Sequence, residues 1–187
     1  MENIRLFIAI DIDKDGIDKI IPFQKKLYEN LKEVRWTKQD TWHITLKFLG
    51  EVKNSMLNKI ISTLEDLKGK FSPFTLELDK IDVFPDIRAP RVVFLDVKES
   101  PELKNLVELI DNNLFKIGFP KEKRSFRGHL TLGRIKDTKK FLQANKDYQK
   151  ILNLTLEHKF NVNEFYLYRS ELKKEGPQYT KLLGVRS

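Results

Sequence analysis

Cysteine is absent from the 187 residues. That excludes a disulfide framework, a thiolate nucleophile and a Cys-ligated metal. Long apolar runs are lacking too. The opening stretch MENIRLFIAIDID is soon interrupted by Asp11 and Asp13, is too short to span a membrane, and is followed by no signal-cleavage pattern. It reads as a strand of a cytosolic protein. Neither G-x-x-x-x-G-K-[ST] nor G-x-G-x-x-G occurs, so the usual nucleotide-cradling loops and an ATP-driven reaction have no support. Histidine is scarce, at three residues.

What is present is a foldable, basic chain. A hydrophobic fraction of 40% is enough for a packed interior, and 187 residues suit one large domain or two small lobes sharing a core. The net charge of +8 favours anionic partners such as phosphates, nucleic acid or an acidic membrane surface, although scattered lysines often do no more than solvate a surface.

Periodicity predicts the elements. Leu57, Ile60, Ile61, Leu64 and Leu67 share one helical face, as do Leu103, Leu106, Val107, Ile110, Leu114 and Ile117. Ser100-Pro101 supplies an N-cap and first-turn proline, and Gly118 a C-terminal stop. A third helix is expected over 17–31, with Pro22 an awkward residue in it, and a weakly patterned fourth near 138–150. Strands are expected at 4–11, 43–49, 74–84, 91–97, 129–135, 155–168 and 179–185. Strand, helix, strand, helix, strand thus occurs twice, with Phe84–Pro90 as the crossover. The expected fold is α+β: one bilobal domain over 1–187, with pseudo-symmetric lobes of antiparallel sheet at roughly 1–88 and 89–187, helices outside and a central cleft.

The middle strand of each repeat opens with the same tetrad: His43-Ile44-Thr45-Leu46 and His129-Leu130-Thr131-Leu132. Side chains alternate along a strand. His43, Thr45 and Lys47 are therefore expected on one face, with Ile44, Leu46 and Phe48 on the other. His129 and Thr131 share a face opposite Leu130 and Leu132. Histidine and threonine on one face stand roughly 7 Å apart, so both reach one small anion. If the two polar faces oppose, one neutral imidazole can take a proton from water while a charged one gives a proton to a leaving oxygen. The hydroxyls and nearby cations would hold the phosphoryl oxygens. A single His-x-Thr triplet is usually a half-exposed strand face, but two at equivalent places in a repeat point to a shared site.

The alternatives are weaker. A metal site would need a third ligand from an Asp, a Glu or His158. His158 falls in phase with Leu154, Leu156, Phe160 and Val162, which reads as a packed structural histidine. Near the second tetrad, Lys121 and Lys123 read as a solvated loop, while Arg127 and Arg134 are candidate phosphate contacts. Trp42 and Phe48 are candidates for stacking a base, with burial an equal option for Phe48.

These residues carry a resemblance. The paired H-x-T-x motifs in a duplicated α+β unit resemble the 2H phosphoesterase superfamily. Within it the chain is similar to the bacterial and archaeal RNA 2′,3′-cyclic phosphodiesterases, also called 2′-5′ RNA ligases. The similarity covers nearly the whole chain, through RLFIAIDI, WHITLKFLGEV, PRVVFLDV, FRGHLTLGR, LYRSEL and YTKLLG. Gly128 departs from the proline that relatives often carry before the second histidine. The resemblance implies hydrolysis of a terminal 2′,3′-cyclic phosphate to a 2′-phosphate without metal or cofactor. In that reaction His43 is the proton donor, His129 the proton acceptor, and Thr45 and Thr131 hold the phosphate with Arg134 close by. It also implies weak reverse 2′-5′ ligation and RNA ends (tRNA fragments among them) as partners, while two lobes closing over one cleft are expected to work as a monomer. Two other readings remain open: the same site acting on a small cyclic nucleotide or ADP-ribose cyclic phosphate, and a non-catalytic RNA-binding module.

Overall fold

The run RLFIAID becomes a strand because its Ile, Leu and Phe residues can be buried on both faces. Ile4, Leu6, Ile8 and Ile10 enter the main core, while Phe7 and Ala9 form a second, small apolar cluster with Tyr168. A computed structural model describes residues 3–187, so Met1 and Glu2 of the expected opening stretch lie outside the described residues.

The chain runs β1 (Asn3–Asp11), α1 (Lys14–Asn30), β2 (Val34–Trp36), β3 (His43–Lys53), α2 (Leu57–Glu65), β4 (Phe74–Phe84) and β5 (Val92–Val97). It continues through α3 (Pro101–Lys116), β6 (His129–Ile135), α4 (Thr138–Ala144), β7 (Thr155–Val162), β8 (Glu164–Lys173) and β9 (Gly176–Arg186). Among the described residues, no helix is long and apolar enough to cross a membrane.

Several boundaries differ from expectation for local reasons. Helix α1 starts at Lys14, because Asp13 caps it by accepting the Gly16 N–H at 3.0 Å, and it carries Pro22 inside. The cap at Ser100 forms as expected, accepting from the Leu103 N–H at 3.1 Å ahead of Pro101. The weak helix near 138–150 shortens to α4 followed by a 3-10 segment at Tyr148–Asn153. The long strand expected over 155–168 is two, β7 and β8, separated at residue 163.

All strands join one antiparallel sheet in the order β7-β4-β5-β6-β3-β1-β8-β9, with β2 on β6. The lobes meet at β3 and β6, which share the single register pair Ile44↔Leu130. Both side chains are fully buried, so the seam rests on apolar packing. The chain halves at 1–88 and 89–187 do not coincide with the halves of the sheet. Strand β4, from the first half, pairs with β5 and β7, whereas β8 and β9, from the second, extend β1. Each half of the chain thus contributes two strands to the other's lobe: β2 and β4 from the first, β8 and β9 from the second. These pairings satisfy the backbone of both outer edges, of β5 by β4 and of β1 by β8.

Candidate active site

Each tetrad histidine opens its strand directly at the seam. His43 and His129 are half-buried, and the residues after them, Ile44 and Leu130, form the inter-lobe pair. Backbone two residues upstream acts on both rings. His129 Nδ1 lies 3.0 Å from the Arg127 carbonyl, and the Thr41 backbone favours the charged form of His43. Nδ1–H of His129 therefore donates, leaving Nε2 free with its lone pair. Each ring also packs on aromatics. Phe7 lies 4.8 Å from His43 and stacks on Tyr168, while Tyr179 meets His43 edge-on at 5.3 Å. Phe84 and Phe94 stack on each other at 4.1 Å and meet His129 edge-on at 5.0 and 5.4 Å.

This packing desolvates both imidazoles. Burial pushes His43 down from 6.5 to about 4, against the opposing pull of the Thr41 backbone and Asp11. Burial also lowers His129, opposed by its bond to the Arg127 backbone and aided by the nearby Arg127 charge. The charge of His129 is felt at His43, and that of Arg134 at both rings. Two separate strands thus converge on one electrostatic site.

Thr45 and Thr131 are half-buried on the histidine faces, and among the described residues neither hydroxyl has a side-chain partner. Beyond them, simple alternation fails. Along β3 the register steps from Ala9↔Thr45 to Ile8↔Lys47, and along β6 from Phe94↔Thr131 to Val93↔Gly133. Each step is a β-bulge, with Leu46 and Leu132 as the extra residues, and each flips the residues that follow it, in β3 as far as a second shift between Phe48 and Gly50. Lys47 accordingly leaves the histidine face. Its ammonium pairs with Asp111 of α3 and donates to the Pro120 carbonyl at 2.9 Å. Phe48 takes its place, 6.1 Å from Phe7 and 67% exposed. The bulge in β6 likewise carries Arg134, five residues from His129, to the cleft face. No carboxylate among the described residues pairs with it within 4.0 Å.

Two expected contacts sit elsewhere. Trp42 is only 6% exposed, and its indole N–H donates to Thr37 Oγ1 at 3.0 Å. It belongs to the core and offers no face for a base, because residue 42 precedes the strand and points inward with Ile44. Arg127 is committed to protein: it donates to both oxygens of Asp96 (3.1 and 2.7 Å) and to Asp82 at 2.7 Å. Lys121 lies over Phe115, and His158 is buried between Asp13 (2.7 Å) and Lys19 (3.2 Å) on the far side of the sheet.

Sequence reasoning missed the carboxylates beside the histidines. Asp11 is the cross-strand partner of His43, and Asp96 that of His129. The signal was there, in Ile10-Asp11-Ile12 and Leu95-Asp96-Val97, each ending the first strand of its repeat. Asp11 accepts from Tyr168 and pairs with Lys181 at 2.5 Å, so both carboxylates are neutralised locally.

A family model described as LigT like Phosphoesterase matches the chain twice, at residues 10–94 and 95–179. The chain belongs to this family. Two archaeal relatives named RNA 2′,3′-cyclic phosphodiesterase show how far the likeness extends. The Archaeoglobus fulgidus protein is 34% identical over 181 residues (95% of this chain, 97% of that one), and the Methanocaldococcus jannaschii protein 34% identical over 180 residues (94% and 96%). The crystal structure of E. coli LigT complexed with 3′-AMP superposes with a TM-score of 0.79 at 26% identity, covering 99% of this chain and 98% of that one. For a LigT-like phosphoesterase, the two family matches divide the chain between the two tetrads, one histidine to each.

Proposed function

We propose that this LigT-like phosphoesterase hydrolyses RNA 2′,3′-cyclic phosphate ends to 2′-phosphates, with His43 and His129 as paired acid and base. The observation that carries the reading is the convergence of two desolvated imidazoles, one per lobe, on one cleft, together with an arginine that pairs with no carboxylate among the described residues. The names of the relatives supply the substrate class.

The steps follow from proton positions. Water approaches the phosphorus from the His129 side, and its proton passes to Nε2, free because Nδ1–H is held by the Arg127 carbonyl. The bond from phosphorus to the 3′ oxygen breaks on the opposite side, and His43 protonates that oxygen, leaving a 2′-phosphate and a 3′-hydroxyl. His43 is neutral in the free protein at pH 7, and the anionic phosphate supplies the charge that favours its protonated form in the complex. Thr45, Thr131 and Arg134 hold the non-bridging oxygens, where charge builds in the transition state. Phe48 offers a stacking face for the terminal base. No metal is assigned a part, because the carboxylates beside the histidines are already held by Lys181, Tyr168 and Arg127. Run backwards, the same geometry joins a 5′-hydroxyl to the cyclic end, with the cyclic ester supplying the activation. Both histidines come from one chain, which suits a monomer.

The test is incubation of the purified protein, with excess EDTA, on an RNA ending in a 2′,3′-cyclic phosphate, resolving 2′- from 3′-phosphate products. A 2′-phosphate is expected. A 3′-phosphate product overturns the roles of the two histidines, and no product from RNA that still binds overturns the reaction.

A further inference from the structure

The backbone that acts on each histidine from two residues upstream sits in very different surroundings. In the first lobe, the backbone of Thr41 ends a 3-10 turn, Gln39–Thr41. Thr41 N donates to the Lys38 carbonyl at 3.0 Å, its hydroxyl to the same carbonyl at 2.7 Å, and Trp42 N to the Gln39 carbonyl at 3.2 Å. The buried Trp42 then pins the turn to the core. Local backbone and one indole suffice to fix that turn.

The second lobe has no such turn among the described residues, although Phe126 packs against the core. Residues 119–128 form no helix or strand, and Gly128 places an unbranched residue between the anchoring carbonyl and the catalytic ring. A single ladder bond, Val97 N to Gly128 O at 3.1 Å, closes the segment onto β5. What fixes residue 127 is its own side chain. The guanidinium spans Asp96 and Asp82 with three hydrogen bonds of 2.7 to 3.1 Å. It also lies 5.4 Å above Phe84 and 5.1 Å above Phe94, the same two rings that border His129. Two carboxylates and two aromatic faces thus hold one arginine, and the arginine's carbonyl holds the base.

We propose that Arg127 is a positioning residue for His129: its clamped side chain fixes the carbonyl that keeps Nδ1 protonated and Nε2 aimed at the attacking water. It does not bind substrate. Only arginine suits the place, because its planar fork reaches two carboxylates at once while its flat face lies on the rings. A lysine keeps the charge but can satisfy only a single point. The groups that face His129 are Arg127 and Asp96 beside it, Arg134 farther along its own strand, and His43 across the cleft. The inference rests on the proposed function for its kinetic readout but not for its spectroscopic one.

The experiment compares wild type with Arg127→Gln, Arg127→Lys and Asp82→Asn. The last alters half of the clamp without touching His129, should the others fold poorly. Nitrogen NMR of the His129 ring reads the tautomer directly. Wild type is expected to show protonated Nδ1 and a lone pair at Nε2, and the variants a mixture. On the cyclic-phosphate RNA, kcat is expected to fall on the order of 10²-fold in Arg127→Gln with KM unchanged. The acid limb of the kcat/KM profile should move to higher pH in Arg127→Gln, where a repelling charge is lost, and stay in place in Arg127→Lys. A raised KM with unchanged kcat would mean a substrate contact and overturn the proposal, as would an unchanged His129 tautomer in every variant. Wild type inactive on the RNA but with the tautomer shift intact counts against the proposed reaction and leaves the positioning role standing.

Discussion

Phe48 and Arg134 occupy the same place in the two lobes. Each is the fifth residue after a motif histidine, and each is returned to the cleft face by a bulge two residues earlier. The pseudo-two-fold therefore presents one aromatic face and one guanidinium to whatever lies between the histidines. That pairing suits a nucleotide, with a base at one end and a phosphate at the other.

Replacing Phe48 with alanine removes a stacking surface and little else, since the ring is mostly exposed. Stacking is worth about 1–3 kcal/mol per base, so KM for the RNA is expected to rise about 5- to 150-fold with an unchanged melting temperature. A fall in melting temperature with unchanged KM would show that the ring is a packing residue.

Arg134→Ala should act on the phosphate. A hydrogen bond to a charged group contributes about 1.5–3 kcal/mol, which predicts a loss in kcat/KM of about 10- to 150-fold. The salt dependence of RNA binding should also flatten by about one phosphate contact. Binding titrations across a salt series check both effects, and an unchanged slope would place the arginine away from the phosphate.

His43→Ala and His129→Ala should each lower turnover by about 10²- to 10⁴-fold while the circular dichroism spectrum stays native. Activity at wild-type level in either variant would show that its ring is not the proton carrier.

The desolvated imidazoles also make stability depend on pH. The folded-state pKa of His43 is depressed to about 4 from 6.5. Its stabilising contribution is complete above about pH 6.5 and is lost progressively as pH falls towards 4, because the unfolded chain takes up the proton first. The loss from this ring is on the order of 3 kcal/mol, and His129 adds to it in the same direction. Chemical denaturation at pH 7.5, 5.5 and 4.5 reads this trend, and His43→Ala should flatten it. Inorganic phosphate bound between the rings should be accompanied by proton uptake near pH 6, measurable by calorimetry in buffers of different ionisation enthalpy.

Trp42→Phe tests the core assignment of the indole. It deletes the bond to Thr37 while keeping most of the bulk, so stability should drop by about 1 kcal/mol with KM unchanged. A rise in KM at unchanged stability would instead place the indole against substrate.

The paired histidine faces were legible because they rest on local pattern alone. His-x-Thr with alternating apolar residues is a strand with one polar face whatever it packs against, and its recurrence in a repeat made two such faces. The helix caps at Ser100 and the strands β1, β3, β4, β5 and β6 were readable for the same reason: caps and alternation depend on neighbours a few residues away. The departures share an opposite cause. Lys47, Phe48 and Arg134 changed sides because bulges are set by how two strands fit together, which neither strand encodes by itself. Arg127 became an anchor because Asp82 and Asp96, far from it in sequence, come together beside it on β4 and β5. The exchange of β2, β4, β8 and β9 between lobes likewise rests on pairings between strands distant in sequence, which no local pattern encodes. Sequence alone determined that two imidazoles and two hydroxyls would stand on polar strand faces. Tertiary packing decided what stands beside them and how each ring is held, because those contacts join segments that only the folded sheet brings within reach.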